Sequence, residues 1–578
     1  LSENAEFAAA VQAAGLIWVG PPVDAVRAMG SKIESKKMMA AAGVPVLDEL
    51  DPDTVTEGQL PVLVKASAGG GGRGMRVVRE LSALPGEVAA AQREAQSAFG
   101  DPTVFCERYL PTGHHVEVQV LADTHGIVWA VGERECSIQR RHQKIIEEAP
   151  SPLVERTAGM RAKLFEAARL AAAAIGYAGA GTVEFLADDH GAFFFLEMNT
   201  RLQVEHPVTE ETTGLDLVEL QLAVADGGRL DPEPPAAVGH SIEARLYAED
   251  PARGWQPQAG VVDTFQVPGV RCEFSSLGRR TGIRLDSGIV DGFAVSIHYD
   301  PMLAKVISYA PTRRQSALVL ADALARAHLH GLRTNRELLV NVLRHPAFLD
   351  GATDTAFFDR HGLTELSAPL TDEATIRLSA IAAALADAAD NRATATVLGS
   401  IPSGWRNLAS GYQVKIYRDD ADNEHRVEYR FTRTGLILAD HEVAQLVSAT
   451  QDEVVLADSD GVACSFAVAR HGQDVYVDSA RGPVHLVALP RFPEPGSAVE
   501  EGSLVAPMPG NVIRLGADVG DAVTAGQPLI WLEAMKMEHT ITAPSDGVLA
   551  ELNVNTGQQV EVGAVLARVE SPENAEGD

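Results

Sequence analysis

The chain has 578 residues, too many for one hydrophobic core, and its length implies three or four domains. A formal net charge of −31 and a pI near 4.9 exclude nucleic acid and an anionic membrane surface as partners of the whole molecule. Cys106, Cys136, Cys272 and Cys464 are scattered and form no Cys-x-x-Cys pair, which argues against a zinc site or a disulfide framework and points to a reducing cytoplasm. The longest charge-free apolar stretch, 170–183, is too short to span a bilayer, and no signal peptide is read.

The opening "LSENAEFAAAVQAAGLIWVGPP" predicts a helix feeding a short strand, Leu16 to Val19. It reads as the tail (1–22) of a domain that begins elsewhere. From 23 to about 365, helical and strand patterns alternate densely. "VLVKASAGGGGRGMRVV" predicts a strand ending at Lys65, then glycines 69–72 and Gly74. Such a run lets backbone N–H groups crowd around phosphate oxygens, with the lysine adding positive charge. Its spacing matches no standard phosphate loop, and a flexible loop without a ligand is the alternative. "ECSIQRRHQKIIEEAP" adds Gln139, His142 and Lys144, a cationic cluster in an acidic protein; a plain surface helix end would account for it equally.

"GTVEFLADDHGAFFFLEMNTRLQVEHP" reads as two strands joined by a turn at 188–191. Alternation from Glu197 puts Glu197, Asn199, Arg201, Gln203 and Glu205 on one face if the segment is extended, and pairing across the turn brings Glu184 near Glu197. Facing carboxylates repel unless a divalent cation lies between them, and an Asn amide completes an oxygen set suited to magnesium. A mixed polar strand facing solvent explains the alternation but not the facing carboxylates.

Ile376, Leu378, Ile381, Leu385 and Ala389 mark an amphipathic helix within 366–400, and short alternating strands such as "YQVKIYR" and "DVYVDSA" fill 411–488. "PRFPEPGSAVEEGS" is a Pro/Gly/acidic linker. Beyond it, two β-rich segments repeat at a constant offset of 37 residues: Gly510 with Gly547, Gly520 with Gly557, Gly526 with Gly563, Leu529 with Leu566. Such a duplication predicts a small barrel of approximate twofold symmetry, with Lys536 of "LEAMKMEH" in the connection between its halves. A lysine on that connection can carry a swinging prosthetic group.

The last segment resembles the biotinyl carrier domain, whose modified lysine lies in an Ala-Met-Lys-Met tetrapeptide, here Ala534 to Met537. Residues 1 to about 365 resemble the biotin carboxylase family, through "MGSK", "KASAGGGGRGM", "ERYLPTGHHVEVQV", "RRHQKIIEEAP", "EMNTRLQVEHPVTE" and "GHSIEARLYAEDP". The helix-then-strands segment resembles the docking domain of the α subunits of propionyl-CoA and methylcrotonyl-CoA carboxylases.

The resemblance implies a multidomain chain: an α/β ATP-grasp biotin carboxylase whose N-terminal subdomain is mostly absent, a helix plus small antiparallel β-barrel, and a C-terminal flattened β-barrel. The divisions expected are 1–22, 23–230 (ATP-grasp), 231–365 (biotin carboxylase C-terminal subdomain), 366–490 (docking), 491–503 (linker), 504–571 (carrier) and 572–578 (acidic tail). It implies biotin on Lys536, with ATP and Mg²⁺ (or Mn²⁺). Lys32, Lys65, Gly71, Gly72, His115 and His142 would contact ATP phosphates or ribose, Glu107, Arg108, Tyr109 and Leu110 would line the adenine slot, and Gln139 would belong to the same site. Glu184, Glu197 and Asn199 would hold the metal beside the nucleotide. Lys144, Arg201, Gln203, Val204 and Arg245 would hold bicarbonate, with Arg201 and Arg245 also catalytic. Glu205 would be the base that activates bicarbonate toward the γ-phosphate, giving carboxyphosphate, and Arg245 would stabilise the biotin enolate.

Implied partners are a biotin protein ligase and a carboxyltransferase β subunit bound through 371–490 in a large αβ assembly. Only about 135 residues separate 365 from 500, too few for a carboxyltransferase barrel of about 250 residues. Two other readings stay open: a non-biotin ATP-grasp ligase, which the carrier segment opposes, and a non-catalytic carrier subunit.

Overall fold

The computed structural model describes residues 1–67, 75–140, 143–408, 411–433, 435–439, 445–457, 461–492, 502–534 and 537–570. Its largest element is a nine-stranded sheet, in the order Val270–Glu273, Gly282–Ser287, Met302–Ala310, His240–Tyr247, Gln143–Ala149, Val128–Arg140, His114–Ala122, Gly179–Ala187, Phe193–Asn199. The first two strands are parallel and every other neighbouring pair is antiparallel.

Helices cover both faces of this sheet, so period-two alternation sorts residues between two covers. In His114–Ala122, Val116, Val118 and Val120 pack with Leu164, Ala168 and Ala171 of the helix Met160–Ala174. Leu121 packs on the other side with Val224 of the helix Leu217–Ala225. Glu117 and Gln119 share that second side, where Arg134 bridges Gln119 to Thr209 of the helix His206–Thr213. At the far end of the sheet, Leu320, Leu324, Leu339 and Leu343 of two further helices bury Ile242 and Val306. A covered sheet face that keeps ionised residues is a site under construction.

A smaller four-stranded sheet runs Glu49–Leu50, Val104–Arg108, Val62–Ala66, Arg76–Val78, with Leu84 and Ala91 of the helix Leu84–Phe99 closing its core. It carries Lys65 and Glu107. The expected strand at Leu16–Val19 is not formed: Leu16 and Ile17 stand exposed, with no strand beside them to supply a ladder.

The helix Glu373–Ala393 lies within an eight-stranded antiparallel sheet spanning 413–488, whose edge strands Gly435–Leu438 and Gln445–Ala449 approach one another. Eight consecutive residues, Ser379 to Ala386, are buried, so the middle of the helix is enclosed on all sides. That corrects the expected amphipathic stripe, of which Ile376, Leu378 and Ala389 are only half-buried. Alanine is the physical reason, because a helix sheathed in methyl groups is narrow enough for strands to surround it.

The last unit is two four-stranded sheets with the expected internal symmetry. Gly510–Leu515 corresponds to Gly547–Leu552 and Ala522–Val523 to Gln559–Val560, at the same 37-residue offset. The core repeats likewise: Val512 with Leu549, Leu529 with Leu566, Ile530 with Ala567. Pro528–Ala534 pairs with Met537–Thr542, Ala534 opposite Met537. Lys536, between them, lies outside the described residues. Among the described residues no helix is long and apolar enough to cross a membrane.

Candidate active site

The ladder register places Glu117 opposite Glu184 and Glu184 opposite Glu197, three carboxylates on adjacent strands. The predicted approach of Glu184 to Glu197 is therefore seen, with Glu117 an unforeseen third member. Lys144 Nζ reaches into the row, 2.6 Å from Glu117, 2.9 Å from Glu184 and 2.6 Å from Glu205. His115 Nε2 lies 3.0 Å from Glu184, and the amides of Asn199 and Gln203 donate to Glu184 at 2.9 and 3.2 Å. Arg201 donates to Gln203 at 2.7 Å and also meets Glu3 at 3.1 Å.

The extended run from Glu197 to Glu205 does not exist. The strand stops at Asn199, the chain bends, and the helix His206–Thr213 begins, with Glu205 at its N-cap position and Pro207 in its first turn. Proline tolerated at a helix start explains the change of direction. Gln203 and Glu205 therefore meet the carboxylate row through a bend. Likewise "ECSIQRRHQKIIEEAP" forms no helix end: Gln139 and Lys144 face one another in the ladder between Val128–Arg140 and Gln143–Ala149.

Burial opposes the charge on Lys144, but Glu117, Glu184 and Glu205 together raise its pKa well above the ordinary lysine value. Burial likewise raises Glu184, yet Lys144 and His115 hold it below the usual carboxylate range. Glu205, with no exposed surface, is raised by burial and pulled well down by Lys144, Arg245 and Arg134. Lys144 and Glu205 thus favour their charged forms in spite of burial, because each meets opposite charges on more than one side.

Arg245 lies between Glu205, at 2.9 Å from Nη2, and Glu147, at 2.5 Å from Nε. Glu147 faces Glu243 across the ladder, and neither carboxyl is exposed. Lys305, opposite Arg245, donates to the Val204 carbonyl at 3.0 Å and pairs with Asp286. Arg134 is completely buried, donating to Glu117, Gln119, Thr209 and Thr182. Glu117, Arg134, Glu147, Glu243 and Lys305 escaped the sequence reading. For Glu117 the alternation of "HHVEVQV" gave no signal, because a strand with one wet face would show the same pattern.

On the smaller sheet Glu107 is buried and forms ion pairs with Lys65 at 2.7 Å and with Lys36. Lys32 approaches Glu197 at 3.4 Å, linking that side to the carboxylate row. Arg108 is exposed, Tyr109 and Leu110 are half-buried, and Arg79 lies over the Tyr109 ring at 5.8 Å. Gly71, Gly72 and His142 lie outside the described residues. Glu184 and Glu197, opposite one another in the ladder, and Asn199 offer oxygen donors of the kind a hard divalent cation takes.

Residues 25–233 match the family described as carbamoyl-phosphate synthase L chain, ATP binding domain, and 243–360 match the biotin carboxylase C-terminal domain. Residues 377–491 match the methylcrotonyl-CoA carboxylase alpha-subunit BT domain, and 502–569 match biotin-requiring enzymes. The chain is 37% identical to the mitochondrial methylcrotonoyl-CoA carboxylase subunit alpha of Dictyostelium discoideum over 98% of its own length and 84% of the relative's. It is 37% identical to the propionyl-CoA carboxylase alpha chain of Ruegeria pomeroyi, over 99% and 88%. Among solved structures it resembles the biotin carboxylase domain of Hydrogenobacter thermophilus 2-oxoglutarate carboxylase in complex with MgADP and bicarbonate, at 38% identity and TM-score 0.59, over 63% of this chain and 80% of that one. It also resembles Rhizobium etli pyruvate carboxylase, at 37% identity and TM-score 0.60, over 67% and 34%.

Proposed function

The chain belongs to the α-subunit family of biotin-dependent acyl-CoA carboxylases, which are biotin carboxylases carrying a biotinyl domain, and from that premise we propose how its own residues work. It carboxylates biotin held on Lys536, using ATP and bicarbonate, and delivers the carboxyl group to a separate carboxyltransferase subunit. The observation that carries this reading is the buried network in which Lys144 and Arg245 share Glu205.

Bicarbonate displaces these cations from Glu205 and takes their hydrogen bonds, together with those of Arg201, Gln203 and the Val204 backbone. As Lys144 and Arg245 turn to the anion, Glu205 recovers basicity and accepts the bicarbonate proton. The deprotonated oxygen attacks the γ-phosphate, the β–γ anhydride bond breaks and ADP leaves, giving carboxyphosphate, while Lys65 and Lys32 offset charge on the nucleotide. Glu184, Glu197 and Asn199 would hold magnesium, which would supply charge neutralisation at the phosphates. Arg245 would face the ureido oxygen of bound biotin and offset negative charge there. Gly71, Gly72, His115, Gln139 and His142, with 107–110, complete the nucleotide site.

The chain divides into an ATP-grasp region (23–230), a biotin carboxylase C-terminal subdomain (231–365), a docking domain (366–490) and a carrier (504–571). The carboxyltransferase β subunit binds through 371–490 in a large αβ assembly, and a biotin protein ligase modifies Lys536. We place it in the cytoplasm; its four cysteines are all free thiols, as a reducing compartment requires. The test is ADP formation with free biotin. Cleavage dependent on bicarbonate supports the reading, and ATP turnover indifferent to bicarbonate or biotin refutes it.

A further inference from the structure

Outside the catalytic centre, one cluster of donors joins two units of the chain. His328 and His330 sit two residues apart on the strand His328–His330, and therefore on one face. Asp478 belongs to the strand Asp474–Ser479 of the barrel. His328 Nδ1 lies 3.0 Å and His330 Nε2 2.8 Å from the same Asp478 oxygen, and the three donor atoms are mutually within 4.8 Å.

The surroundings fix the rings. Tyr476, two residues before Asp478, stacks on His330 with centroids 4.4 Å apart and planes 14° apart. Its hydroxyl accepts from the Gly331 N–H at 3.0 Å, so the strand and the barrel are registered against each other. The His330 side chain is 4% exposed and that of His328 37%, leaving the cluster closed on one side and open to water on the other.

We propose that His328, His330 and Asp478 bind a zinc ion, with water as the fourth ligand, clipping the catalytic half to the docking barrel. Two imidazoles and a carboxylate are a borderline-soft set that suits zinc and its transition-metal neighbours, not magnesium or calcium. Tetrahedral zinc with bonds of about 2.0 Å separates its ligands by about 3.3 Å, so each ring nitrogen need move from the Asp478 oxygen by only a few tenths of an ångström. Two ring nitrogens crowded on one carboxylate oxygen are then each given a bond of their own. The sequence reading set zinc aside on cysteine spacing, which is blind to a His-x-His strand paired with a distant aspartate. The clip spans residues that match the biotin carboxylase C-terminal domain and the BT domain, so zinc stiffens the docking unit against the catalytic unit.

The test is calorimetric titration of the chelator-stripped full chain with Zn²⁺, beside His328→Gln. That residue is half exposed, so its substitution leaves the fold intact. The expected result is one zinc per chain in the wild type, a tetrahedral visible spectrum with Co²⁺, and zinc affinity more than about 100-fold weaker in the variant. Bicarbonate-dependent ATP cleavage should not differ between the two. Absence of zinc binding by the wild type, or equal binding by both proteins, overturns the site.

Discussion

Lys144 Nζ lies 2.6 Å from Glu205 Oε1, in a setting where Glu205 has no exposed surface. Replacing that carboxylate by an amide removes the proton acceptor while keeping its shape. Glu205→Gln should lower bicarbonate-dependent ATP cleavage by about 10²–10⁴-fold. Nucleotide affinity should hold, because the ion-pair partners of Glu205 are Lys144 and Arg245, not Lys32 or Lys65. Near-normal turnover would place the base elsewhere.

Glu147 offers a pH signature. Burial raises its carboxyl, Arg245 opposes and Glu205 adds to the rise, leaving it at about 7 against an ordinary 4.5. A carboxyl whose folded value is the higher contributes stability that is fully present below 4.5 and lost as pH climbs through about 7. Glu147→Gln mimics the protonated form and keeps that contribution. Its melting temperature should therefore rise relative to wild type between pH 4.5 and 7. A difference that stays constant over that window would contradict the assignment.

Arg134 holds the catalytic face together, donating to Glu117, Gln119, Thr182 and Thr209 from a fully buried position. Arg134→Met fills much the same volume but strands Glu117 with Lys144 as its remaining cation. Denaturant unfolding of the catalytic unit should show a loss of about 3–5 kcal/mol. A loss below about 1 kcal/mol would mean that Glu117 is satisfied without it.

The barrel closes tightly on Ala384 of its helix. Ala384 is completely buried, and Ala384→Leu adds three carbons to an interior already filled by Val454, Phe466 and Val477. Overpacking should cost about 1–3 kcal/mol. It should weaken retention of a carboxyltransferase subunit in co-purification and leave bicarbonate-dependent ATP cleavage unchanged. Undiminished retention alongside a destabilised barrel would show that the partner binds elsewhere.

Much of this molecule could be read without coordinates wherever a local rule governs. The turn after Ala187 dictated that Glu184 meet Glu197, and the 37-residue repeat anticipated the strand correspondence. Glu117 and Glu147 were invisible because both faces of their sheet are covered, so alternation no longer separates wet from dry. Glu205 meets the carboxylate row through Lys144, which it shares with Glu184, and a bend and a helix start bring it there, not the expected continuing strand. The enclosure of the Glu373–Ala393 helix depends on eight strands that follow it in sequence, which no helical period can report.

The most direct test of the central claim is transfer of labelled carbon from bicarbonate onto the chain itself. The chain, biotinylated by a biotin protein ligase, is incubated with ATP, Mg²⁺ and labelled bicarbonate, then separated from small molecules. The expected result is acid-labile label on the polypeptide that requires ATP, is blocked by avidin and is absent from Lys536→Arg. Label that persists in Lys536→Arg, or a biotinylated chain that acquires none, would contradict it.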